Sequence, residues 1–116
     1  MKKEQLTQEQ IEAKAEQLSQ RENNKVTPIV FLDEETNENV VGFIKTPSRL
    51  TKLRVMDKAM TSPVTAASEL FEAILLKEDS DPRFSSIHAD HDKYYLGGTM
   101  EAFKQVEMAV NTFKKK

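Results

Sequence analysis

The stretch Val40–Arg49, VVGFIKTPSR, changes character halfway along. Its first half is β-branched and aromatic, the composition of a strand. Its second half sets a proline, a serine and a basic residue where a helix can begin. Read outward from this join, the chain places a small sheet before it and helices after it.

On the N-terminal side, Val26 to Leu32 forms a second apolar run, separated from Val40 to Ile44 by the acidic segment Asp33 to Asn39. Two such runs around a polar turn predict a β-hairpin with a loop longer than the two-residue type. Pro28 cannot donate to a ladder, so the first strand is expected at an edge or to begin after it. Gly42 marks a bulge or a close backbone approach. Both strands are apolar on both faces, Val40, Gly42 and Ile44 alternating with Val41 and Phe43. One face therefore suits helices, and the other suits something else, such as a second subunit.

On the C-terminal side, a first helix is predicted from Pro47 through Met60, with Leu50, Leu53, Met56 and Met60 on one stripe. A second opens with Ser62 and Pro63 and carries the strongest amphipathic pattern: Ala67, Leu70, Phe71, Ile74 and Leu75. It is expected to stop near Lys77, before the loop EDSDPR. The dipeptide Gly97-Gly98 reads as a turn. A last helix follows from Thr99 with Phe103, Val106, Val110 and Phe113 at helical spacing, and its closing lysines suit the helix dipole. Ahead of the hairpin, residues 4–23 predict a helix with a Thr7/Gln10 capping box and a thin apolar set of Leu6, Ile11, Ala15 and Leu18. The fold class is therefore α+β: a short antiparallel hairpin packed by about three helices. Residues 1–24 form an additional polar helix, loosely attached, and residues 25–116 form the single domain.

Composition narrows the function. The 116 residues are 38% hydrophobic and 31% charged, with a formal net charge of −2 and a sequence pI near 5.7. Nothing there pulls the chain as a whole toward nucleic acid or anionic lipid. It has no cysteine, which excludes thiolate chemistry and fits a reducing compartment. Polar residues follow Lys2 and Lys3 where a signal peptide would be apolar, and no run approaches the ~20 apolar residues that span a bilayer. A cytoplasmic address is the simplest expectation.

Charge is distributed in patches. Lys45, Arg49, Lys52, Arg54 and Lys58 face a single acid, Asp57, within one segment, while Asp33–Glu38 and Glu69–Asp81 are acidic. The basic segment is either a solvated helix face or a docking surface. Among docking surfaces, nucleic acid is the weaker choice because no aromatic residues are interleaved with the bases. The run His88–Lys93, HADHDK, gathers two histidines with Asp90 and Asp92. Its spacing matches no established metal motif, so a polar loop is the expectation and no metal or other cofactor is assigned. No phosphate-binding glycine loop or nucleophile elbow is present, so no catalytic residue is assigned and an enzyme is not expected. The apolar residues beyond the needs of a core, Val41, Phe43 and the methionines Met56, Met60, Met100 and Met108, are candidates for a partner-binding groove.

From Val26 onward, the hairpin, the passage GFIKTPSR, the segment SPVTAASELFEAILLKEDSDP and the final helix resemble the small tail-assembly chaperones of tailed bacteriophages. Gly42, Phe43, Ile44, Pro47, Ser48 and Arg49 carry the likeness, with Ala67, Leu70 and Leu75 in the next helix. The resemblance implies a non-enzymatic protein of virion morphogenesis that coats the tape-measure protein, or another tail protein, through hydrophobic surface, with self-association as an option. Client contact is then expected at Val41, Phe43, Arg49, Leu50 and Leu53. The alternative is a small nucleic-acid-binding regulator that uses Lys45, Arg49, Lys52, Arg54 and Lys58.

Overall fold

The computed structural model describes residues 7–114, with side chains as far as Val106. The expectations placed on Leu6 and on the side chains of Met108, Val110, Phe113 and the closing lysines lie outside the described residues. The order is helix α1 (Gln8–Glu22), strands β1 (Val26–Asp33) and β2 (Glu38–Lys45), then helices α2 (Arg49–Ala59), α3 (Pro63–Ile74) and α4 (Asp92–Lys114). Two short 3-10 turns, Pro82–Ser85 and Ala89–His91, precede α4. This is an α+β fold.

The hairpin is regular. Val26 pairs with Lys45 and the register continues without interruption to Asp33 opposite Glu38. Four loop residues close it, with Asn37 in the left-handed conformation at φ 57°, which asparagine tolerates better than most residues. Gly42 sits in register opposite Ile29 rather than in a bulge. A Cβ there would lie 2.8 Å from the Phe84 ring, so the glycine admits an aromatic side chain onto the inner face.

That inner face builds the main core. Ile29, Val40 and Ile44 from the hairpin meet Val55 of α2, Ala66, Leu70, Phe71 and Ile74 of α3, Phe84, and Tyr94, Ala102 and Val106 of α4. Phe84 is the aromatic hub, tilted against Phe31 at 5.8 Å and edge-on to Phe71 and Tyr94. Such pairs add ~1 kcal/mol each beyond area burial.

Three boundaries differ from the sequence reading. Pro47 precedes α2 rather than starting it; Ser48 is the cap, its hydroxyl accepting from the Thr51 N–H. Helix α3 ends at Ile74 because the chain turns to the sheet. Leu75 bridges Ile44, the Leu76 N–H donates to the Phe43 carbonyl, and the Asp81 N–H donates to the Val41 carbonyl. Thirdly, Gly97 and Gly98 do not make a turn, and α4 runs straight through them. A Cβ at Gly97 would sit 2.8 Å from the Phe31 ring and one at Gly98 2.4 Å from the Phe71 ring. Each glycine costs a helix ~1 kcal/mol; here the cost is offset by two close aromatic contacts.

Helix α1 lies across the outer face of the hairpin. Its box is formed as the sequence implies: the Gln10 N–H donates to Thr7 Oγ1 and the Thr7 N–H to Gln10 Oε1. Ile11, Ala15 and Leu18 pack on Val26, Val41 and Phe43, a second cluster separate from the main core. Ser19 Oγ takes the Val26 N–H, and the Arg21 guanidinium grips both oxygens of Asp79.

Candidate protein-docking surface

The second apolar face of the hairpin is covered within the chain only in part, since Val30 and Leu32 of β1, which share that face with Val41 and Phe43, stay 42% and 53% exposed. Val41 is 7% exposed and Phe43 only 1%, and Lys14 lies over the Phe43 ring at 5.4 Å. Neither is available to a client, which corrects the expectation placed on them. The physical reason is that three apolar residues of α1, sparse but aligned at i, i+4 and i+7, reach the part of the outer face that holds Val26, Val41 and Phe43.

Helix α2 is built the opposite way. It has 11 residues, and only Val55 among them is buried, with Ala59 packed partly against the core. Val55 meets small and branched residues of α3, Ala66 and Leu70, so a narrow contact holds the helix close. At ~100° per residue, Leu53 points ~160° away from Val55. The stripe of Leu50, Leu53, Met56 and Met60 therefore faces outward instead of supplying core. Leu50 is 58% exposed, Leu53 55% and Met60 85%, and Val64 at the start of α3 is exposed as well. Contiguous exposure of large apolar side chains on a small chain marks an interaction surface more often than isolated exposure does.

The bases border this ridge. Arg49 and Arg54 are exposed, and Lys45 and Lys52 are half-buried. Lys58 is committed to an ion pair with Glu69 of α3, a surface contact of small energetic weight. Of the five residues expected at a client interface, Arg49, Leu50 and Leu53 thus share one accessible helix face, while Val41 and Phe43 are walled off from it. The five bases of the nucleic-acid alternative do not form one free cluster, since Lys58 is paired.

Two other places were candidates for chemistry. His88 and His91 stand 5.9 Å apart, ring to ring. His91 Nδ1 bonds Ser86 Oγ at 2.8 Å, and the same oxygen accepts the His88 N–H. These contacts stitch the turn ahead of α4. Among the described residues no group of three or more histidines, cysteines or acids is placed to hold a metal. A cavity of about 390 Å³ opens between α3 and that turn, lined by Phe71, Leu75, Ile87 and Tyr95 together with Glu72 and Lys77. The Tyr95 hydroxyl there is already engaged by Ser68 and Glu72.

An electrostatic hub that the sequence reading missed ties the hairpin turn to the loop after α3. Arg83 reaches Asp33 at 3.1 Å, Asp81 at 3.4 Å and Glu38 at 3.8 Å. Burial pushes the Asp33 carboxyl up, but the backbone N–H groups of Glu35 and Thr36, then the Tyr94 hydroxyl and Lys93, outweigh it and leave the group below its ordinary range. The signal available in sequence was an isolated arginine inside an acidic stretch, Glu78 to Asp90, with acids of the hairpin left to balance.

No described helix is long and apolar enough to cross a membrane. Comparison with protein-family models, with curated proteins and with solved structures finds no match for this chain.

Proposed function

We propose that this protein is a non-enzymatic binding module that docks a protein partner on the exposed face of α2, with Leu50 and Leu53 as anchors and Arg49 beside them. The observation that carries this reading is the outward ridge of α2, an apolar stripe turned away from the helix's own buried side. Binding there removes leucine and methionine surface from water at ~25 cal/mol per Å², and the flanking charge keeps the complex dispersed. The assembly that fits best is a phage tail, in which the protein would act as a chaperone for the tape-measure protein in the host cytoplasm. The support for that finer step is the likeness carried by Gly42, Phe43, Ile44, Pro47, Ser48 and Arg49, with Ala67, Leu70 and Leu75 in and just after α3.

The test is co-expression with the tape-measure protein of the same genome. The partner is expected to become soluble and to co-purify, and Leu50→Asp with Leu53→Asp is expected to abolish both effects while leaving the circular-dichroism spectrum unchanged. A partner held equally well by the double variant refutes α2 as the surface. A duplex DNA gel shift that is lost steeply with salt, with the partner still insoluble, would transfer the assignment to a nucleic-acid-binding regulator.

A further inference from the structure

The ridge of α2 carries more than apolar area. Leu50, Leu53, Asp57 and Met60 follow one another at spacings of three, four and three, the interval at which one helix seam meets another. Val55, on the far side, anchors the helix to α3 and so fixes the seam outward. Arg49 and Arg54 occupy the two flanks of this seam, and both are exposed. Asp57, also exposed, interrupts the seam itself.

Resting on the docking role proposed above, we infer that the partner segment is an amphipathic helix with acidic flanks and a cationic residue opposite Asp57. Charge complementarity selects this occupant. Flanking residues of paired helices sit side by side, so Arg49 and Arg54 call for glutamate or aspartate across the seam and oppose lysine or arginine. A second copy of α2 is a poor occupant for the same reason. A parallel pair sets Asp57 against Asp57 and Arg49 beside Arg54, and an antiparallel pair sets Arg54 beside Arg54. Nucleic acid is a poor occupant too, because phosphates would leave Leu50, Leu53 and Met60 facing a polar surface with nothing to bury them.

The probe is a synthetic leucine-seam helix of about three heptads with glutamate on both flanks and one lysine in the central seam position. A counterpart with lysine flanks and a central glutamate serves as the contrast. Fluorescence anisotropy with the full chain is expected to show the acidic peptide binding at least about tenfold more tightly, with the preference shrinking as salt rises. Arg49→Glu with Arg54→Glu is expected to reverse the preference, and Asp57→Lys to favour an acidic-flanked peptide whose central seam residue is glutamate. Equal binding of both peptides, lost in Leu50→Asp with Leu53→Asp, overturns the charge assignment and leaves the docking role standing. Binding of neither peptide, or binding that ignores the leucine substitutions, overturns both. Stronger binding of a DNA duplex that displaces the acidic peptide likewise overturns the inference.

Discussion

Helices α1 and α2 flank the same hairpin in sequence, and they use their apolar residues in opposite directions. Helix α1 has few, and all except the exposed Ala13, namely Ile11, Ala15 and Leu18, are buried on the outer sheet face. Helix α2 has more, and all except Val55 and the half-covered Ala59 point to solvent. The number of apolar residues in a helix therefore says little about whether it is structural or adhesive. What decides is which face the neighbouring elements can reach. Gln8–Glu22 returns along the strand it precedes, whereas α2 leaves the sheet and packs on α3, with Val55 and part of Ala59 turned to the core.

The sharpest way to break this contrast is to place the same charge in both regions. Phe43→Asp buries a carboxylate beneath α1 and is expected to cost ~3 kcal/mol or more in urea-denaturation stability. Leu53→Asp, on the open ridge, is expected to stay within ~0.5 kcal/mol. Similar losses at both positions would mean that α2 is not free.

A smaller effect is expected from the caps. Thr7→Ala removes half of the box at the start of α1, and Ser48→Ala removes the Thr51 bond at the start of α2; each should cost ~1 kcal/mol. Hydrogen exchange should separate them, because Thr7→Ala loosens the cover over Val41 and Phe43, and Ser48→Ala frays only α2.

The smallest effect is set by pH. The Arg21 guanidinium holds the Asp79 carboxyl below its ordinary range. A depressed carboxyl stabilises the fold at pH values above its unfolded pKa of ~3.9 and loses that contribution as pH falls through the folded value. Melting temperature should therefore decline below about pH 4, and Asp79→Asn should flatten part of that decline. Leu50→Asp should leave the low-pH slope of the parent chain in place, since α2 takes no part in the clasp.

Much of the architecture was legible because its signals are local. The paired strand runs, the proline opening α3 and the Thr7/Gln10 box each follow from adjacent residues. The inward face of α3 was also legible, since Leu70, Phe71 and Ile74 leave no competing apolar side. Helix α2 was harder. Periodicity shows that Leu50, Leu53, Met56 and Met60 share a face, but not whether that face meets the core; Val55 and Ala59, from the other side, supply the core contact instead. The Gly97-Gly98 reading failed for a related reason. The dipeptide favours a turn in isolation, and only the rings of Phe31 and Phe71, distant in sequence, give a helix a use for two missing side chains. Likewise, the cover over Phe43 depends on a helix docking that its thin stripe does not announce.

The return of the chain from α3 to β2 bears on how the molecule can associate. With Leu75, Leu76 and Asp81 bonded to β2, that margin of the ribbon has already taken its neighbour. The opposite margin belongs to β1, where Pro28 offers no N–H to an incoming strand. Both rims thus resist recruitment of foreign strands, a common route from sticky surface to amyloid-like growth. A chain that displays bare leucine on α2 thus has fewer open backbone groups along its ribbon for a foreign strand to pair with, although Val30 and Leu32 stay exposed on the sheet face itself.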